Sequence, residues 1–366
     1  MQRNNKKKIC IVTSSLGKGG AEKSSALLSI MLSDLGYKVH IVCILNIIDY
    51  PFKGEILNLG EFKEKNNSII GKLKSIWKLY SFLKNEKFDV VIDSRSRPTI
   101  LKQYFINKII YGSQNIYYMV RSYKLENYLP KNKYFAKILY KNANKIITVS
   151  KAIQNKIEEK YGFKNVETVY NPVDLNASES ILEKEITYNE KFVLFYGRLV
   201  DSVKNITLLI ESYSLSQLPE NNINLVVLGD GPDLQKFKTL TKTLGIEEKV
   251  QFLPNTRNPI TYVKKAVFTL LTSHYEGFPR VLIESLSINT PVIAVNCKSG
   301  PSEIIVDKHN GLLVENYNSE ALANAMNEFA INEELYSNCK KNAKTSVEKF
   351  SVENISKHWE KLIEAE

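Results

Sequence analysis

The sequence HYEGFPRVLIE, residues 274–284, follows the apolar run Val267–Leu271. The run predicts a buried strand, and the segment after it predicts a Gly-Pro turn that opens a helix. Backbone N–H groups at such a turn, and at the first turn of the helix, can face an anionic ligand. Strand–turn–helix units of this kind build α/β domains with parallel sheets.

The same alternation extends along most of the chain. The predicted strands are Ile9–Val12, Val39–Leu45, Val90–Ile92, Ile116–Val120, Ile146–Val149, Val193–Tyr196, Leu225–Leu228, Val250–Leu253, Val267–Leu271 and Val292–Val295. The predicted helices include Glu22–Leu35, Ile69–Leu83, Lys151–Lys160, Ile206–Leu215, Leu234–Leu244 and Phe350–Glu364. Short apolar strands separated by helices predict parallel sheets with helices on both faces.

The alternation pauses at 171–189, a polar segment that predicts an interdomain linker. The 366 residues suit two domains. We therefore predict an α/β protein of two Rossmann-like, doubly wound domains that face a cleft. The first spans 1–172 and the second 190–349, and the C-terminal helix 350–366 packs back on the first. Ligands of such sheets bind at the carboxyl ends of the strands.

Composition argues against several classes of protein. The chain has no run of about 18 apolar residues, which a membrane-spanning helix needs. The basic start meets an apolar run too short for a signal peptide, so we expect a cytoplasmic chain. The four cysteines form no Cys-x-x-Cys pair and the four histidines lack ligand spacing, so we expect buried free thiols and no metal site.

Charge is divided unevenly between the two halves. Residues 1–170 hold 30 Lys and Arg against 13 Asp and Glu, whereas the remaining residues hold 20 against 26. A basic first half indicates an anionic partner, such as a membrane surface, a lipid-linked phosphate or a nucleic acid. No recognisable nucleic-acid module occurs there, so we expect no nucleic acid partner. Compositional drift of an AT-rich genome is the alternative explanation.

The segment Ile69–Leu83 is amphipathic and basic. Its apolar face consists of Ile69, Ile70, Leu73, Ile76, Trp77, Tyr80 and Leu83, and its rim of Lys72, Lys74, Lys78 and Lys84. Such a pattern is typical of a core helix with a solvated rim. In a basic domain it equally indicates a helix that lies on an anionic membrane surface.

Two further loops carry candidate binding residues. Gly19 and Gly20 follow the first strand and precede a helix, where glycines allow a ligand to approach the backbone. The loop is neither a dinucleotide fingerprint nor a P-loop, and a purely structural turn is the alternative. Gly197, Arg198 and Lys204 follow the strand Val193–Tyr196. Arg can bind a diphosphate through two parallel hydrogen bonds, and Lys can bind it as a point charge. A loop whose cations only contact solvent would have the same sequence pattern.

Residues 192–316 resemble the donor domain of retaining glycosyltransferases of family 4, which have the two-domain GT-B fold. The matching motifs are Gly197-Arg198-Leu199 with Lys204-Asn205, Gly229-Asp230-Gly231-Pro232, the Glu276/Glu284 pair, Pro291-Val292-Ile293-Ala294, Ser299-Gly300-Pro301-Ser302-Glu303-Ile304-Ile305 and Asn310-Gly311-Leu312-Leu313-Val314. The first half resembles the family more loosely, through the Gly-rich loop, Val149-Ser150-Lys151 and Tyr170-Asn171-Pro172-Val173-Asp174.

The resemblance implies roles for individual residues. Arg198 and Lys204 would hold the donor diphosphate and stabilise the leaving nucleoside diphosphate. Glu284 would bind the ribose hydroxyls, and Glu276 would touch the transferred sugar near its reaction centre. The residues whose backbone would contact the sugar and phosphates are Gly277, Phe278, Pro279 and Arg280.

In the first half the resemblance is incomplete. Gly19 and Gly20 would approach the donor phosphates. Many relatives place a His after the fifth strand of this domain, whereas here Arg121 follows Ile116–Val120. Arg121 is therefore a candidate for binding an acceptor phosphate or the sugar.

The family implies transfer of a hexose or N-acetylhexosamine from a UDP-sugar to a glycan or lipid-linked acceptor. The setting would be bacterial polysaccharide, lipopolysaccharide or oligosaccharide synthesis, in the cytoplasm or peripherally on the inner face of the cytoplasmic membrane. No Asp-x-Asp motif serves the donor, so we expect metal independence and no cofactor beyond the nucleotide sugar. The alternative is a nucleotide-sugar epimerase of similar two-domain shape.

Overall fold

A computed structural model describes residues 6–17, 19–65, 68–175, 190–256 and 258–365. The chain divides into two compact units. The first contains Met1–Pro172 together with Glu353–Glu366, and the second contains Val173–Val352. Residues 176–189 of the predicted linker lie outside the described residues.

The first unit is built on a seven-stranded parallel sheet. Its strands are β1 (Lys8–Thr13), β2 (Lys38–Cys43), β3 (Glu55–Asn58), β4 (Val90–Asp93), β5 (Ile116–Val120), β6 (Lys145–Thr148) and β7 (Val166–Thr168). They lie in the order β3-β2-β1-β4-β5-β6-β7. Apart from Lys8, every residue of β1 is buried, as a central strand covered on both faces requires.

Helices connect these strands. They are α1 (Gly20–Asp34), α2 (Leu59–Lys65), α3 (Ile69–Glu86), α4 (Ile100–Phe105), α5 (Lys133–Tyr140) and α6 (Lys151–Tyr161). A π-helical segment, Ile106–Tyr111, continues directly from α4. From β3 to β7 every connection progresses in one direction across the sheet, and parallel connections are right-handed. The helices α3 to α6 therefore form one layer on one face, and α1 lies on the other.

The second unit repeats this architecture around six parallel strands in the order β10-β9-β8-β11-β12-β13. The strands are β8 (Phe192–Tyr196), β9 (Asn224–Leu228), β10 (Val250–Leu253), β11 (Thr269–Leu271), β12 (Val292–Val295) and β13 (Gly311–Val314). The helices are α7 (Asp201–Lys204), α8 (Ile206–Leu215), α9 (Leu234–Thr243), α10 (Ile260–Lys265), α11 (Arg280–Ser287), α12 (Pro301–Ile304), α13 (Ser319–Ile331) and α14 (Glu333–Ser346).

A final helix, α15 (Val352–Glu364), returns the chain to the first unit. It buries Trp359 and Ile363. The hydroxyl of Tyr117 on β5 donates to the Leu362 carbonyl at 3.3 Å, and the Lys7 ammonium donates to the Ile363 carbonyl at 2.6 Å. The last helix is therefore part of the core of the first unit.

The predicted pair of Rossmann-like sheets is confirmed, and several predicted strands match to within two residues. All four cysteines are buried free thiols, as expected. Three strands were not predicted as such: β3, β7 and β13. The interpretation of α3 as an ordinary core helix is wrong, because Ile70, Leu73, Ile76 and Trp77 are exposed. The side chain of Ile69 lies outside the described residues.

Candidate active site

Two loops of the second unit meet at its topological switch point. One follows β8 and the other follows β11; these strands are neighbours, and the connections leave them in opposite directions. Open α/β sheets bind ligands at this crevice, at the carboxyl ends of the strands. The loops carry the residues that the sequence placed in one site, Gly197–Lys204 and Glu276–Arg280.

Lys204 and Glu276 form an ion pair in this crevice. The Lys204 Nζ lies 2.6 Å from the Glu276 Oε1, and the Ser273 hydroxyl donates to the same oxygen at 2.6 Å. The Lys204 carbonyl accepts a hydrogen bond from the Thr272 hydroxyl at 2.9 Å, which ties the two loops together. Side-chain and backbone contacts therefore join two loops whose residues Lys204 and Glu276 lie 72 positions apart in the sequence. Ser273 and Thr272 were not predicted as site residues.

The loop after β8 is held against the loop after β9 by close backbone contact. A Cβ on Gly229 would lie 1.9 Å from the Gly197 carbonyl oxygen, and one on Gly231 would lie 2.1 Å from the Leu199 carbonyl oxygen. The Leu199 N–H also donates to the Asp230 carbonyl at 2.9 Å. The Gly-Asp-Gly motif therefore fixes the backbone on both sides of Arg198, whose side chain is exposed.

A short helical turn positions Lys204. Asp201 accepts from the Thr207 backbone N–H at 2.9 Å and from the Lys236 ammonium at 2.6 Å. Burial opposes the charged carboxylate, but these hydrogen bonds outweigh burial and lower the pKa of Asp201. Asn205, which follows Lys204, has a φ of +50°, so the chain turns sharply before α8 begins.

The turn before α11 is held in place by a hydrogen bond and by packing contacts. The Ser299 hydroxyl donates to the Gly277 carbonyl at 2.7 Å, and Phe278 packs edge-on against Phe350 with ring centroids 5.0 Å apart. Gly300 has a φ of +103°, and a Cβ there would lie 2.2 Å from the Pro279 ring. The Ser299-Gly300 pair, which the sequence offered only as a family motif, therefore supports the turn that faces the crevice.

Arg280 and Glu284 lie on the first turns of α11. The Arg280 Nη2 is 3.1 Å from the Glu284 Oε1, and both side chains are largely buried. The Tyr196 hydroxyl, at the end of β8, donates to the Val281 carbonyl at 2.8 Å. Burial, then the charge of Glu284, raise the pKa of Tyr196 well above its ordinary value, so the phenol stays neutral. A pre-oriented carboxylate suits a pair of vicinal hydroxyls.

In the first unit, Arg121 lies against the glycine-rich loop. Its guanidinium donates to the Ala21 carbonyl at 3.3 Å and to the Ser25 hydroxyl at 3.4 Å, both on the first turns of α1. Gly19 and Gly20 begin that helix, whereas Lys18 lies outside the described residues. The structure thus brings Arg121 and the two predicted glycines to one corner.

A buried charge cluster beside this corner was not predicted. Asp93, at the end of β4, binds the Arg95 guanidinium through hydrogen bonds of 2.9 and 2.7 Å and accepts from the Tyr111 hydroxyl at 2.9 Å. Arg97 lies beneath it and donates to the Tyr140 hydroxyl at 3.1 Å. Burial opposes the charge of Asp93, but the arginines outweigh burial and lower its pKa. The cluster builds the carboxyl edge of the first sheet.

Among the described residues, no group of three or more His, Cys, Asp or Glu side chains could hold a metal ion. No described helix combines the length and apolarity needed to cross a bilayer.

Comparison with known proteins identifies the family of the chain. Residues 18–177 match Glycosyltransferase Family 4, and residues 178–346 match Glycosyl transferases group 1. A Campylobacter jejuni N-acetylgalactosamine-N,N'-diacetylbacillosaminyl-diphospho-undecaprenol 4-alpha-N-acetylgalactosaminyltransferase is 32% identical over 365 residues, covering 96% of this chain and 97% of that one. A second C. jejuni alpha-1,4-N-acetyl-D-galactosaminyltransferase is 28% identical, covering 97% and 98%.

Solved structures share the fold. An Anabaena HepE complex with UDP-glucose superposes with a TM-score of 0.78 at 18% identity, covering 98% of this chain and all of that one. Staphylococcus aureus TarM in a UDP complex gives 0.77 at 18% identity, covering 98% and 99%. The fold, with its two Rossmann-like domains, is that of the GT-B glycosyltransferases. The chain belongs to the GT-B glycosyltransferases of family 4.

Proposed function

We propose that the protein transfers an N-acetylhexosamine or hexose from a UDP-sugar to a lipid-linked glycan, with retention of anomeric configuration and without a metal ion. The observation that carries the proposal is the ion pair between Lys204, on the loop after β8, and Glu276, on the loop after β11. The exposed Arg198 lies on the same loop as Lys204 and supplies the second cation. The acceptor hydroxyl replaces the nucleoside diphosphate at the anomeric carbon, and that diphosphate leaves with additional negative charge. Fixed cations beside it stabilise this charge as it develops.

Each remaining residue has a proposed place. Glu284, oriented by Arg280, binds the ribose hydroxyls, and the backbone of Gly277 to Pro279 contacts the sugar and phosphates. Lys204 would divide its charge between Glu276 and the diphosphate, which would orient Glu276 towards the sugar. Gly19, Gly20 and Arg121 are proposed to contact the phosphates or the acceptor.

The choice of sugar and acceptor is supported by the two C. jejuni relatives, which match along nearly their whole length. Their names specify N-acetylgalactosamine as the transferred sugar and undecaprenol diphosphate as the acceptor carrier. The UDP complexes of the structural neighbours support UDP as the carrier nucleotide. We further propose that the enzyme acts peripherally at the inner face of the cytoplasmic membrane, where such an acceptor is exposed.

A thermal-shift screen tests the donor. UDP-N-acetylgalactosamine, UDP-N-acetylglucosamine, UDP-glucose and UDP-galactose would each be added at increasing concentration, with GDP-mannose as the control. A bound donor at 100 times its Kd stabilises the fold by about 2.7 kcal/mol, which is readily detected. We expect a UDP-sugar to raise the melting temperature most. Stabilisation by GDP-mannose alone would contradict the choice of nucleotide.

The reaction itself is tested with the donor that binds and a glycan linked to a polyprenyl diphosphate. The anomeric coupling constant of the product, measured by NMR, is expected to show the same configuration as the donor. An inverted product would exclude retention. Conversion of the donor to an epimer without acceptor would favour the epimerase alternative, which the family membership does not support.

Metal independence is tested with excess chelator. Because Arg198 and Lys204 are proposed to neutralise the diphosphate, we expect the transfer rate to remain within about twofold of its value with Mg²⁺. Loss of activity with chelator that Mg²⁺ or Mn²⁺ restores would show that a divalent ion stabilises the leaving group instead.

A further inference from the structure

Three helical segments of the first unit expose large apolar side chains to solvent. They are α3, α4 with the π-helical segment, and α5. The exposed residues are Ile70, Leu73, Ile76, Trp77, Ile100, Leu101, Tyr104, Phe105, Ile109, Tyr134, Phe135 and Ile138. These twelve are the majority of the twenty exposed large hydrophobic residues among those the structure describes, although the three segments form about a tenth of the chain. We call them the three-helix surface.

The three segments belong to one layer. All lie on the same face of the seven-stranded sheet, because the connections from β3 to β6 progress in one direction. The Asn107 side chain of the π-helical segment donates to the Leu139 carbonyl of α5 at 2.6 Å. On its other side, the Gln114 side chain donates to the Leu83 carbonyl of α3 at 3.4 Å. The exposed side chains therefore belong to adjoining helices.

The same segments are strongly basic, and their one acidic residue is Glu86, the last residue of α3, which pairs with Lys8. Residues 69–85, 100–114 and 131–145 contain no Asp or Glu. Their exposed lysines are Lys72, Lys74, Lys78, Lys84, Lys102, Lys108, Lys131, Lys133, Lys137 and Lys141. Such a face would repel a second copy of itself, and it attracts an anionic partner.

Compositional drift does not explain this distribution, because α6 lies in the same layer and differs. The exposed positions of α6 are Lys151, Asn155, Glu159 and Lys160, with no large apolar residue. Its apolar residues Ile153 and Ile157 are buried against the sheet. A helix of ordinary amphipathicity thus ends the layer, and the exposed apolar residues stop at α5.

On α3 most of the predicted apolar face is exposed, and small residues share the buried face with two leucines. Gly71, Ser75, Leu79 and Leu83 face the core, and Ser75 donates to the Gly71 carbonyl at 3.0 Å. Small residues let the helix lie close to the sheet, and the larger apolar residues are left outside. Trp77 is 69% exposed.

Cations also converge where the segments meet α2. Burial, and then the charges of Lys102, Arg95 and Lys72, lower the pKa of Lys63 on α2. Helices α2 and α3 pack together, and the Lys78 ammonium lies 5.2 Å from the centre of the Phe62 ring on α2. An anion next to this edge would relieve repulsion among Lys63, Lys72 and Lys102.

We propose that the three-helix surface docks on the anionic face of a lipid bilayer. Its aromatic and aliphatic side chains enter the interfacial region, and its lysines contact lipid phosphates. Trp77, Tyr104 and Tyr134 have the apolar body and polar tip that suit this depth. The proposal rests on the proposed function only in that a lipid-linked acceptor gives the docking its purpose, and vesicle binding can be measured without any substrate.

Vesicle flotation tests the surface. The full chain is expected to float with vesicles of phosphatidylcholine and phosphatidylglycerol, to bind vesicles of phosphatidylcholine alone much more weakly, and to bind less as NaCl is raised. Equal binding to both vesicles, or no binding to either, would overturn the proposal.

Two triple variants test whether docking uses the whole three-helix surface or α3 alone. One carries Lys72→Glu, Lys74→Glu and Lys78→Glu, and the other carries Lys108→Glu, Lys133→Glu and Lys137→Glu. Each is expected to lower affinity for anionic vesicles about 10²-fold or more. The control carries Lys238→Glu, Lys242→Glu and Lys341→Glu, exposed lysines of the second unit, and should bind as the wild type does. If only the α3 variant loses vesicle binding, the proposal that all three segments dock on the membrane is wrong.

A double substitution of exposed apolar residues tests whether the surface inserts into the bilayer, as distinct from being attracted to its charge. Leu101→Ser with Phe105→Ser should weaken vesicle binding roughly tenfold or more, because exposed side chains that enter the interface lose their transfer free energy. Leu215→Ser with Ile331→Ser, also at exposed positions, is the matched control. An unchanged melting temperature excludes misfolding, and unchanged binding by the first pair would overturn the proposal.

Sedimentation and transfer assays distinguish membrane docking from dimerisation and from failure of the proposed function. If sedimentation without vesicles shows a dimer that these variants dissociate, and the wild type does not float, the surface is an interface between copies and the proposal fails. Transfer to a water-soluble acceptor analogue should be unaffected in the lysine variants. Flotation without transfer to any lipid-linked acceptor would leave the docking standing and disprove the proposed function.

Discussion

Replacing Arg198 or Lys204 by Ala is expected to lower kcat about 10²-fold or more, which corresponds to roughly 2.7 kcal/mol of lost transition-state stabilisation. The charge on the leaving diphosphate grows during the reaction, so the loss should fall mainly on kcat rather than on KM. The melting temperature should change little for Arg198→Ala, because that side chain is exposed. Initial rates at several donor concentrations measure both quantities.

The Lys204 variant requires a double-mutant cycle, because removal of the lysine side chain also leaves Glu276 without its 2.6 Å ion pair. Comparing Lys204→Ala, Glu276→Gln and the double variant separates the loss of the pair from the loss of contact with the diphosphate. Lys242→Ala, at an exposed position on α9, is the matched control and should retain full activity. Near-normal turnover in both Arg198→Ala and Lys204→Ala would disprove the assignment of the crevice.

Asp93→Ala is expected to destabilise the first unit by about 3–5 kcal/mol, because it leaves Arg95 and Arg97 buried without their carboxylate. Denaturant unfolding followed by tryptophan fluorescence measures this unit selectively, since the only two tryptophans, Trp77 and Trp359, both belong to it. Asp34→Ala removes the exposed partner of Lys53 and should cost less than about 1 kcal/mol.

The contribution of this cluster to the free energy of unfolding should depend on pH in the wild type. The pKa of Asp93 is lower in the folded state than in the unfolded state, where it is about 3.9. Its stabilising contribution is therefore complete above that value and is lost as the pH falls through the folded pKa. Unfolding free energies measured from pH 6 down to pH 3 should fall less in Asp93→Ala than in the wild type. Parallel pH profiles, or a loss no larger than that of Asp34→Ala, would show that the cluster is not stabilising.

Ligands of α/β sheets bind at the carboxyl ends of the strands, and this rule, together with the family motifs, placed Lys204 and Glu276 in one predicted site. The 2.6 Å ion pair between the two side chains was not predicted. The supporting hydroxyls of Thr272 and Ser273 belong to no motif. Their roles depend on the geometry of the turn, which the sequence alone did not define.

The first unit was harder to predict because its charge cluster combines residues from separate segments. Asp93 looks like the end of an ordinary strand. Its partners Arg95 and Arg97 follow it closely, but Tyr111 comes from the π-helical segment and Tyr140, which binds Arg97, from α5. The edge strand β3 has a half-exposed sequence without a clear apolar run. On α3, the apolar periodicity indicated a core face, but Gly71 and Ser75 face the core beside Leu79 and Leu83, and Ile70, Leu73, Ile76 and Trp77 are exposed.

The return of α15 to the first unit has a practical consequence for protein engineering. Because the first unit consists of two separate stretches, the second unit is an insert between Pro172 and Glu353 rather than a tail. A chain cut after residue 352 would expose the apolar surface that Trp359 and Ile363 cover. Exchange of the second unit between relatives therefore calls for two splice junctions, with the final helix retained from the recipient.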